Sequence, residues 1–386
     1  MIASAPITFN AFLRPHLAEM SKHFSVTAVC NGNYSDFLGV LPQSIDFYPI
    51  KIMRKFSIFF DFIALVKIIY LFILSSPLVV HSVTPKAGLL SMIGGWVARV
   101  PLRIHVFTGQ VWVTKKGLSR LVFRATDKLT AFFSTHVLTD SNSQREFLIS
   151  EGICSANKIL VLADGSISGV DLQRFKVNQL VRTSIRNELS INQSDIVILF
   201  VGRLNKDKGI IDLARAFDNL SRELSNLKLI IVGPEEDNVI AELKKINYSH
   251  LNKINLIGMS NCPEDYMAAS DIMVLPSYRE GFGSVIIEAA ACGIPSVASR
   301  IYGITDAIDD GKSGLLHEPG NVDDLTAKLK KIILNDELRI EMGRYAKLRV
   351  ENLFSVNRLV QCQIDFYFKA IDALKNNKKL ALQKFK

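Results

Sequence analysis

The sequence of 386 residues lacks the cysteine pattern of a disulfide framework or a zinc site. Its cysteines are odd in number, scattered and without the spacing of metal ligands. They are Cys30, Cys154, Cys262, Cys292 and Cys362. We therefore expect buried thiols in a reducing compartment. A basic segment and a cleavage site are also missing after Met1, so the sequence does not predict secretion.

Nucleic-acid recognition motifs are missing as well, although the chain is basic. The formal net charge is +9; residues 1–165 hold 16 Lys and Arg against 9 Asp and Glu, and the rest holds 30 against 28. Because aromatic and basic side chains are not interleaved, nucleic acid is not the expected partner. The uneven charge instead indicates an anionic partner or surface for the first half of the chain.

Alternating strands and helices are the dominant pattern that is present. Five successive strand–helix units follow Ile196, which predicts a parallel, doubly wound sheet in this half. The length allows two domains with separate cores. We expect an N-terminal Rossmann-like domain over residues 1–170 and a C-terminal one over 171–350. A helix and basic tail over 351–386 are expected to return toward the first domain. Residues 1–6 are too short for a complete first strand.

The segment 271–300 contains a carboxylate in an unexpected place. Its central helix, Ser284–Cys292, is apolar nearly all round, yet Glu288 lies in the middle. A buried carboxylate needs a charge or several hydrogen-bond donors. The loop before this helix carries Gly281 and Gly283, and a helix N-terminus after such a loop suits phosphate. Glu288 therefore either binds the hydroxyl groups of a nucleotide or pairs with a basic neighbour.

The wider pattern resembles a known family. Glu280 and Glu288 lie in E-G-F-G-x-x-x-x-E, which is followed by A-x-x-C-G-x-P-x-V-A-S. Arg203 and Lys208 lie in G-R-x-x-x-x-K-G, and G-V-D-x-x-x-F begins at Gly169. These patterns resemble retaining glycosyltransferases of the GT-B fold. The resemblance implies two Rossmann-like, doubly wound parallel-sheet domains that face each other across a cleft. The second would bind a nucleotide-sugar and the first the acceptor.

The resemblance also implies roles for individual residues. Glu288 would hold the ribose, Glu280 would contact the donor sugar, and Arg203 and Lys208 would bind the diphosphate. The remaining donor contacts that it implies are Gly202, Gly281, Phe282, Gly283, Ser284 and Val285. The sequence contains no Asp-x-Asp pair, so we expect cationic side chains rather than a metal ion to balance the phosphates. No cofactor beyond the donor is expected.

The reacting sugar should lie near the segment H-V-F-T-G-Q. Many members of the family carry a histidine just before the glycine of this segment, where Thr108 stands here. His105 lies three residues earlier, inside a predicted strand, and is either a catalytic residue or a hydrogen-bonded core residue. No side chain is an evident nucleophile. Because the resemblance implies retention of configuration, we expect front-face attack by the acceptor hydroxyl, assisted by the leaving phosphate.

An apolar stretch over residues 56–74 has three interpretations. It is interrupted by Asp61 and Lys67, which argues against a membrane span. It can instead form a helix of the domain core, or a helix with one face in a bilayer surface. The last twelve residues hold five lysines, which either contact anionic lipid or keep the tail solvated.

The segments H-S-V-T-P-K-A-G and H-V-F-T-G-Q resemble bacterial transferases of surface polysaccharide assembly, and this resemblance implies a role in making O-antigen or capsule. The expected donor is a UDP-sugar carrying a hexose or N-acetylhexosamine, and the expected acceptor is a saccharide linked to undecaprenyl diphosphate. The expected location is the cytoplasmic face of the bacterial inner membrane. Two alternatives stay open: a nucleotide-sugar epimerase of the same fold, and a non-catalytic nucleotide-sugar-binding protein.

Overall fold

The computed structural model of the chain describes residues 1–33, 36, 42, 44–53 and 57–383, with side chains described up to residue 376. Residue 56, at the start of the predicted apolar stretch, lies outside these ranges, as do the side chains of the lysines after Lys375. The chain forms two compact units. The first comprises Met1–Ser168 and Val356–Lys386, and the second comprises Gly169–Ser355.

The first unit is a parallel α/β structure. Its strands are β1 Val26–Cys30, β2 Ile45–Pro49, β3 Val79–Val83, β4 Leu102–Phe107, β5 His136–Thr139 and β6 Ile159–Val161. Its helices are α1 Pro6–Thr8, α2 Arg14–Met20, α3 Ile58–Ser75, α4 Pro85–Val97, α5 Gly117–Phe133, α6 Asn142–Ser150 and α15 Val356–Gln383, with a π turn at Phe9–Leu13. The strand orders are β1-β2 and β3-β4-β5-β6.

The first residues of the chain join these two sets of strands. Ile2 forms parallel bridges with Val29 on one side and Ser82 on the other. The Ala3 amide donates to the Val29 carbonyl at 3.0 Å, and the Val83 amide donates to the Ile2 carbonyl at 2.9 Å. The segment is short, as its sequence indicates, yet it pairs with both β1 and β3.

Helix α15 packs within the first unit because it supplies both apolar and polar contacts to the sheet. Ile364 and Tyr367 are buried in the same cluster as the strands. The Tyr367 hydroxyl forms a short hydrogen bond with Nδ1 of His81, and it accepts from Nε2 of Gln363 at 3.1 Å. Burial lowers the pKa of His81 well below its usual value, so the ring is neutral.

The second unit is a doubly wound parallel sheet with one large core. Its strands are β7 Ile196–Val201, β8 Leu227–Val232, β9 Ile254–Gly258, β10 Ile272–Leu275, β11 Ser296–Ser299 and β12 Gly314–His317. Its helices are α7 Gln179–Glu188, α8 Ile210–Glu223, α9 Val239–Ile246, α10 Pro263–Ala269, α11 Ser284–Ala291, α12 Ile304–Ala307, α13 Val322–Ile333 and α14 Asp336–Leu353. The strand order is β12-β11-β10-β7-β8-β9. The order reverses between β7 and β10, where such sheets bind ligands beyond the carboxyl ends of their strands.

Candidate functional site

The loops after β7 and β10 meet where the strand order of the second unit reverses. The first loop contains Arg203 and Lys208, and the second contains Glu280. Gly209 closes the first loop with φ of 68°, and a Cβ atom there would lie 1.9 Å from the carbonyl oxygen of Pro276. The topology therefore brings together two sequence patterns that are about 75 residues apart.

Lys208 and Glu280 form an ion pair between these loops. Nζ of Lys208 donates to Oε1 of Glu280 at 2.5 Å, and the Ser277 hydroxyl donates to the same oxygen at 2.8 Å. The side chains of Lys208 and Glu280 are 19% and 12% exposed. The Tyr278 amide also donates to the Asp207 carbonyl at 2.9 Å. The pair therefore holds one cation and one carboxylate in fixed positions at the mouth of the site.

Arg203 is held by a carboxylate from a third loop. Its Nη1 donates to Oε2 of Glu236 at 2.8 Å. The Arg203 side chain is 40% exposed. The guanidinium is consequently fixed at one end and accessible to solvent, so its other N–H groups suit an anionic oxygen.

Glu288 lies on α11, partly exposed and without a salt bridge or side-chain hydrogen bond among the described residues. Burial raises the pKa of its carboxyl to about 7, against an opposing effect of Arg174. The Arg174 guanidinium is engaged elsewhere, because it donates to both oxygens of Glu264 at 2.9 and 2.8 Å. Pairing with a basic neighbour, the alternative left open by the sequence, is therefore not what the structure shows.

The ionisation of Glu288 predicts a pH-dependent stability. Its folded pKa of about 7 lies above the ordinary value of 4.5, so only the folded chain keeps this proton between those pH values. The contribution of this proton to the stability of the folded chain is complete below pH 4.5 and disappears as the pH rises through 7. Relative to Glu288→Gln, we expect the wild type to lose up to about 3 kcal/mol of unfolding free energy over this range.

Urea titrations at pH 5 and pH 8 test this prediction, with the exposed Glu341→Gln as the matched control. The control should show the same pH dependence as the wild type. An equal difference between the wild type and Glu288→Gln at both pH values would contradict the prediction.

The other predicted donor contacts surround α11 and the end of β7. The Phe282 side chain is buried, and its ring meets the Phe354 ring edge-on with the two ring centroids 5.2 Å apart. Phe282 therefore belongs to the core. Gly283 takes φ of 81° at the N-cap of α11, where no side chain caps the helix. Ser284 and Val285, both partly buried, form the first turn of α11, and Gly202 follows β7.

Thr108 and His105 lie in the first unit and differ in accessibility. Thr108 is partly exposed at the end of β4. His105 is 1% exposed, its Nδ1 lies 2.9 Å from the Ser82 hydroxyl, and its ring contacts Phe107 edge-on at 4.6 Å. Burial lowers the pKa of His105 to about 3. This placement matches a hydrogen-bonded core histidine, and Thr108 is the more accessible of the two residues.

Sequence reasoning missed two features. Glu236, which holds Arg203, comes from G-P-E-E after β8, and two successive glutamates at a strand end were its available signal. In the first unit, the hydroxyls of Ser4 and Thr84 lie 2.5 Å apart, directly after β3. Thr84 has φ of 77°, which is rare for a β-branched residue and has no sequence signal.

Comparison with known proteins identifies the family. The profile "Glycosyl transferases group 1" matches residues 181–349. The capsular polysaccharide biosynthesis glycosyltransferase CapM of Staphylococcus aureus is 32% identical over 310 residues, which cover 80% of this chain and 81% of CapM. The chain belongs to the group 1 glycosyltransferases. The family predicted from the sequence is confirmed.

Further similarities of this group 1 glycosyltransferase extend over nearly the whole chain. An Escherichia coli protein named UDP-Gal:alpha-D-GlcNAc-diphosphoundecaprenol alpha-1,3-galactosyltransferase is 25% identical over 356 residues, covering 90% of this chain and 89% of its own. The structure of Anabaena HepE in complex with UDP and glucose has a TM-score of 0.79 at 18% identity and covers 96% of this chain and 99% of HepE. HepE and the other structural neighbours of the chain are GT-B enzymes, so the predicted fold class is confirmed.

Proposed function

We propose that this group 1 glycosyltransferase moves a sugar from a UDP-sugar to a saccharide linked to undecaprenyl diphosphate during capsule or O-antigen assembly. The observation that carries the proposal is the site itself: Arg203, Lys208 and Glu280 lie in the loops at the switch point, where such sheets bind nucleotides, and Glu288 lies on the helix that follows. The proposal is supported by the S. aureus relative, which is a capsular polysaccharide glycosyltransferase, and by the E. coli relative, whose name specifies a diphosphoundecaprenol-linked acceptor.

The donor would lie across the carboxyl ends of β7 and β10. Arg203 and Lys208 would bind the diphosphate as charge-assisted donors, together with the backbone of Gly202 and Gly281–Ser284. The Glu288 carboxylate would accept hydrogen bonds from the ribose hydroxyls. Glu280, fixed by Lys208, would contact the donor sugar.

The reaction that we propose retains the anomeric configuration. The acceptor oxygen forms a bond to the anomeric carbon on the same face from which the diphosphate leaves, and its proton passes to a leaving phosphate oxygen. Lys208 and Arg203 stabilise the negative charge that develops on the diphosphate. These two cations are also the reason to propose metal independence. Activity should accordingly persist in EDTA, and its loss would refute this part of the proposal.

The first unit would receive the acceptor, and Thr108 is the residue of this unit for which we propose a catalytic role. A second role of this unit is to contact the anionic surface of the inner membrane. Helix α3 packs on the core through Ala64, Ile68 and Phe72, but only 17% of its residues are buried although its mean hydropathy is 2.3. Asp61, which interrupts the apolar stretch, is only 12% exposed and is paired with Lys86 at 3.0 Å.

Helix α5 also presents apolar side chains. Leu118, Leu121 and Phe132 are 76%, 61% and 72% exposed, and the exposed Lys115 and Lys116 directly precede this helix. On α3, Phe62 is 64% exposed. Apolar side chains beside cations match the interface of a bilayer with anionic head groups. We therefore propose peripheral binding through α3 and α5 rather than a membrane span.

Vesicle flotation tests this surface. The double variant Phe62→Glu, Leu121→Glu should bind vesicles of phosphatidylglycerol and phosphatidylethanolamine at least about tenfold more weakly, because two apolar contacts become charged. Tyr248→Glu, at an 80% exposed position of the second unit, is the control and should bind like the wild type. Equal binding of all three proteins would contradict the proposal, as would wild-type binding that survives alkaline extraction.

The function is tested with a panel of radiolabelled nucleotide-sugars and lipid-linked acceptors. We expect transfer from one UDP-sugar with retention, and weaker UDP binding by Glu288→Ala. Epimerisation of the donor without an acceptor would favour the epimerase alternative. Polysaccharide production that persists with Glu280→Ala would favour a non-catalytic binding protein.

A further inference from the structure

The loops that follow β7 and β8 are joined through their backbones. The Leu204 amide donates to the Pro234 carbonyl at 2.9 Å, and the Glu236 amide donates back to the Leu204 carbonyl at 2.9 Å. Gly233 has φ of 144°, and a Cβ atom there would lie 1.8 Å from the Gly202 carbonyl oxygen. The close approach carries Glu236 to the residues that precede α8.

The Glu236 carboxylate contacts the β7 loop at two points. Its Oε2 accepts from Nη1 of Arg203 at 2.8 Å and from Nδ2 of Asn205 at 3.0 Å. Asn205 is buried, and its Oδ1 accepts from the Lys208 backbone amide at 3.1 Å. A single carboxylate therefore holds Arg203 directly and supports the turn of Lys208 through one amide.

We propose that Glu236 is a positioning residue for the diphosphate of the donor. This inference rests on the proposed function of the site. An arginine that is 40% exposed loses rotamer freedom when it binds a ligand, and a carboxylate that fixes one nitrogen in advance lowers that cost. Among the described residues, Nε and Nη2 of Arg203 form no hydrogen bond, so Glu236 leaves them for phosphate oxygens.

Calorimetry with UDP and donor kinetics on the full chain test the inference. Glu236→Ala should weaken UDP binding about tenfold and raise the donor KM, with a smaller change in kcat, because a charge-assisted hydrogen bond is lost. Glu236→Gln keeps an acceptor and should stay within about threefold of the wild type. Glu236→Asp withdraws the carboxylate by one methylene and should lie between them. It also provides the measurement if the alanine variant does not fold.

The adjacent Glu235→Ala is the matched control. Glu235 is exposed, and its Oε1 accepts from the Ile240 amide at 2.9 Å, away from Arg203. The Glu235→Ala variant should bind UDP like the wild type. Unchanged or tighter UDP binding by Glu236→Ala would overturn the inference, as would an equal loss in Glu236→Gln. If the wild type itself does not bind UDP, the proposed function fails instead.

Discussion

Lys208→Ala should lower kcat/KM for sugar transfer by about 10²–10³-fold, the usual cost of removing one donor that stabilises developing charge. The substitution removes the cation expected at the leaving diphosphate. It also leaves Glu280 with the Ser277 hydroxyl at 2.8 Å but without its ion-pair partner. Because the lost cation and the unpaired Glu280 both lie where the donor is expected to react, kcat should decrease together with donor affinity.

Lys206→Ala is the matched control for this measurement. Lys206 lies in the same short turn, Lys206–Lys208, but its side chain is exposed. Initial rates with the donor identified by the panel should be nearly unchanged in this variant. A Lys208→Ala enzyme that stays within threefold of the wild type would show that the diphosphate is bound elsewhere.

Arg186→Met should destabilise the second unit by about 3–5 kcal/mol, because it breaks a buried ion pair. The Arg186 side chain is fully buried, and its Nη2 donates to Oδ2 of Asp271 at 2.8 Å. Its remaining N–H groups donate to the carbonyls of Asn192, Gln193, Asp195 and Ala269. The substitution leaves a carboxylate and several carbonyls with fewer donors.

Arg182→Met provides the comparison, since Arg182 donates to Oδ1 of the same Asp271 at 2.7 Å but is 22% exposed. Water can replace part of its contribution, so we expect a loss of about 1 kcal/mol. Hydrogen exchange at the β7 and β8 amides reports on this unit specifically. Equal protection in both variants would show that burial does not determine the strength of this network.

The sequence predicted the candidate site residues better than the side-chain contacts that fix them. The sequence predicted Glu280, Glu288, Arg203 and Lys208 as site residues because their spacing to neighbouring glycines resembles the pattern of the family. Two contacts could not be predicted from the sequence: the ion pair of Lys208 with Glu280 and the hydrogen bond of Arg203 with Glu236. Each joins residues at least 33 positions apart. Distances of that kind depend on strand order.

The first unit shows the same division. The apolar composition of residues 56–74 predicted a helix but left its environment open. In the structure the helix is Ile58–Ser75, and only 17% of its residues are buried. His105 had two interpretations in the sequence. Its position between Ser82 and Phe107 is a consequence of how β3 and β4 pair.

The sequence alone determined the family, the alternation of strands and helices, and the residues that carry charge to the second sheet's carboxyl edge. These properties depend on local spacing and side-chain chemistry, which a linear pattern contains. Only the tertiary structure decided which charges pair, how strongly Glu288 holds its proton and which apolar helix faces solvent. Those properties depend on burial and on contacts between distant segments, which arise only when the sheets assemble.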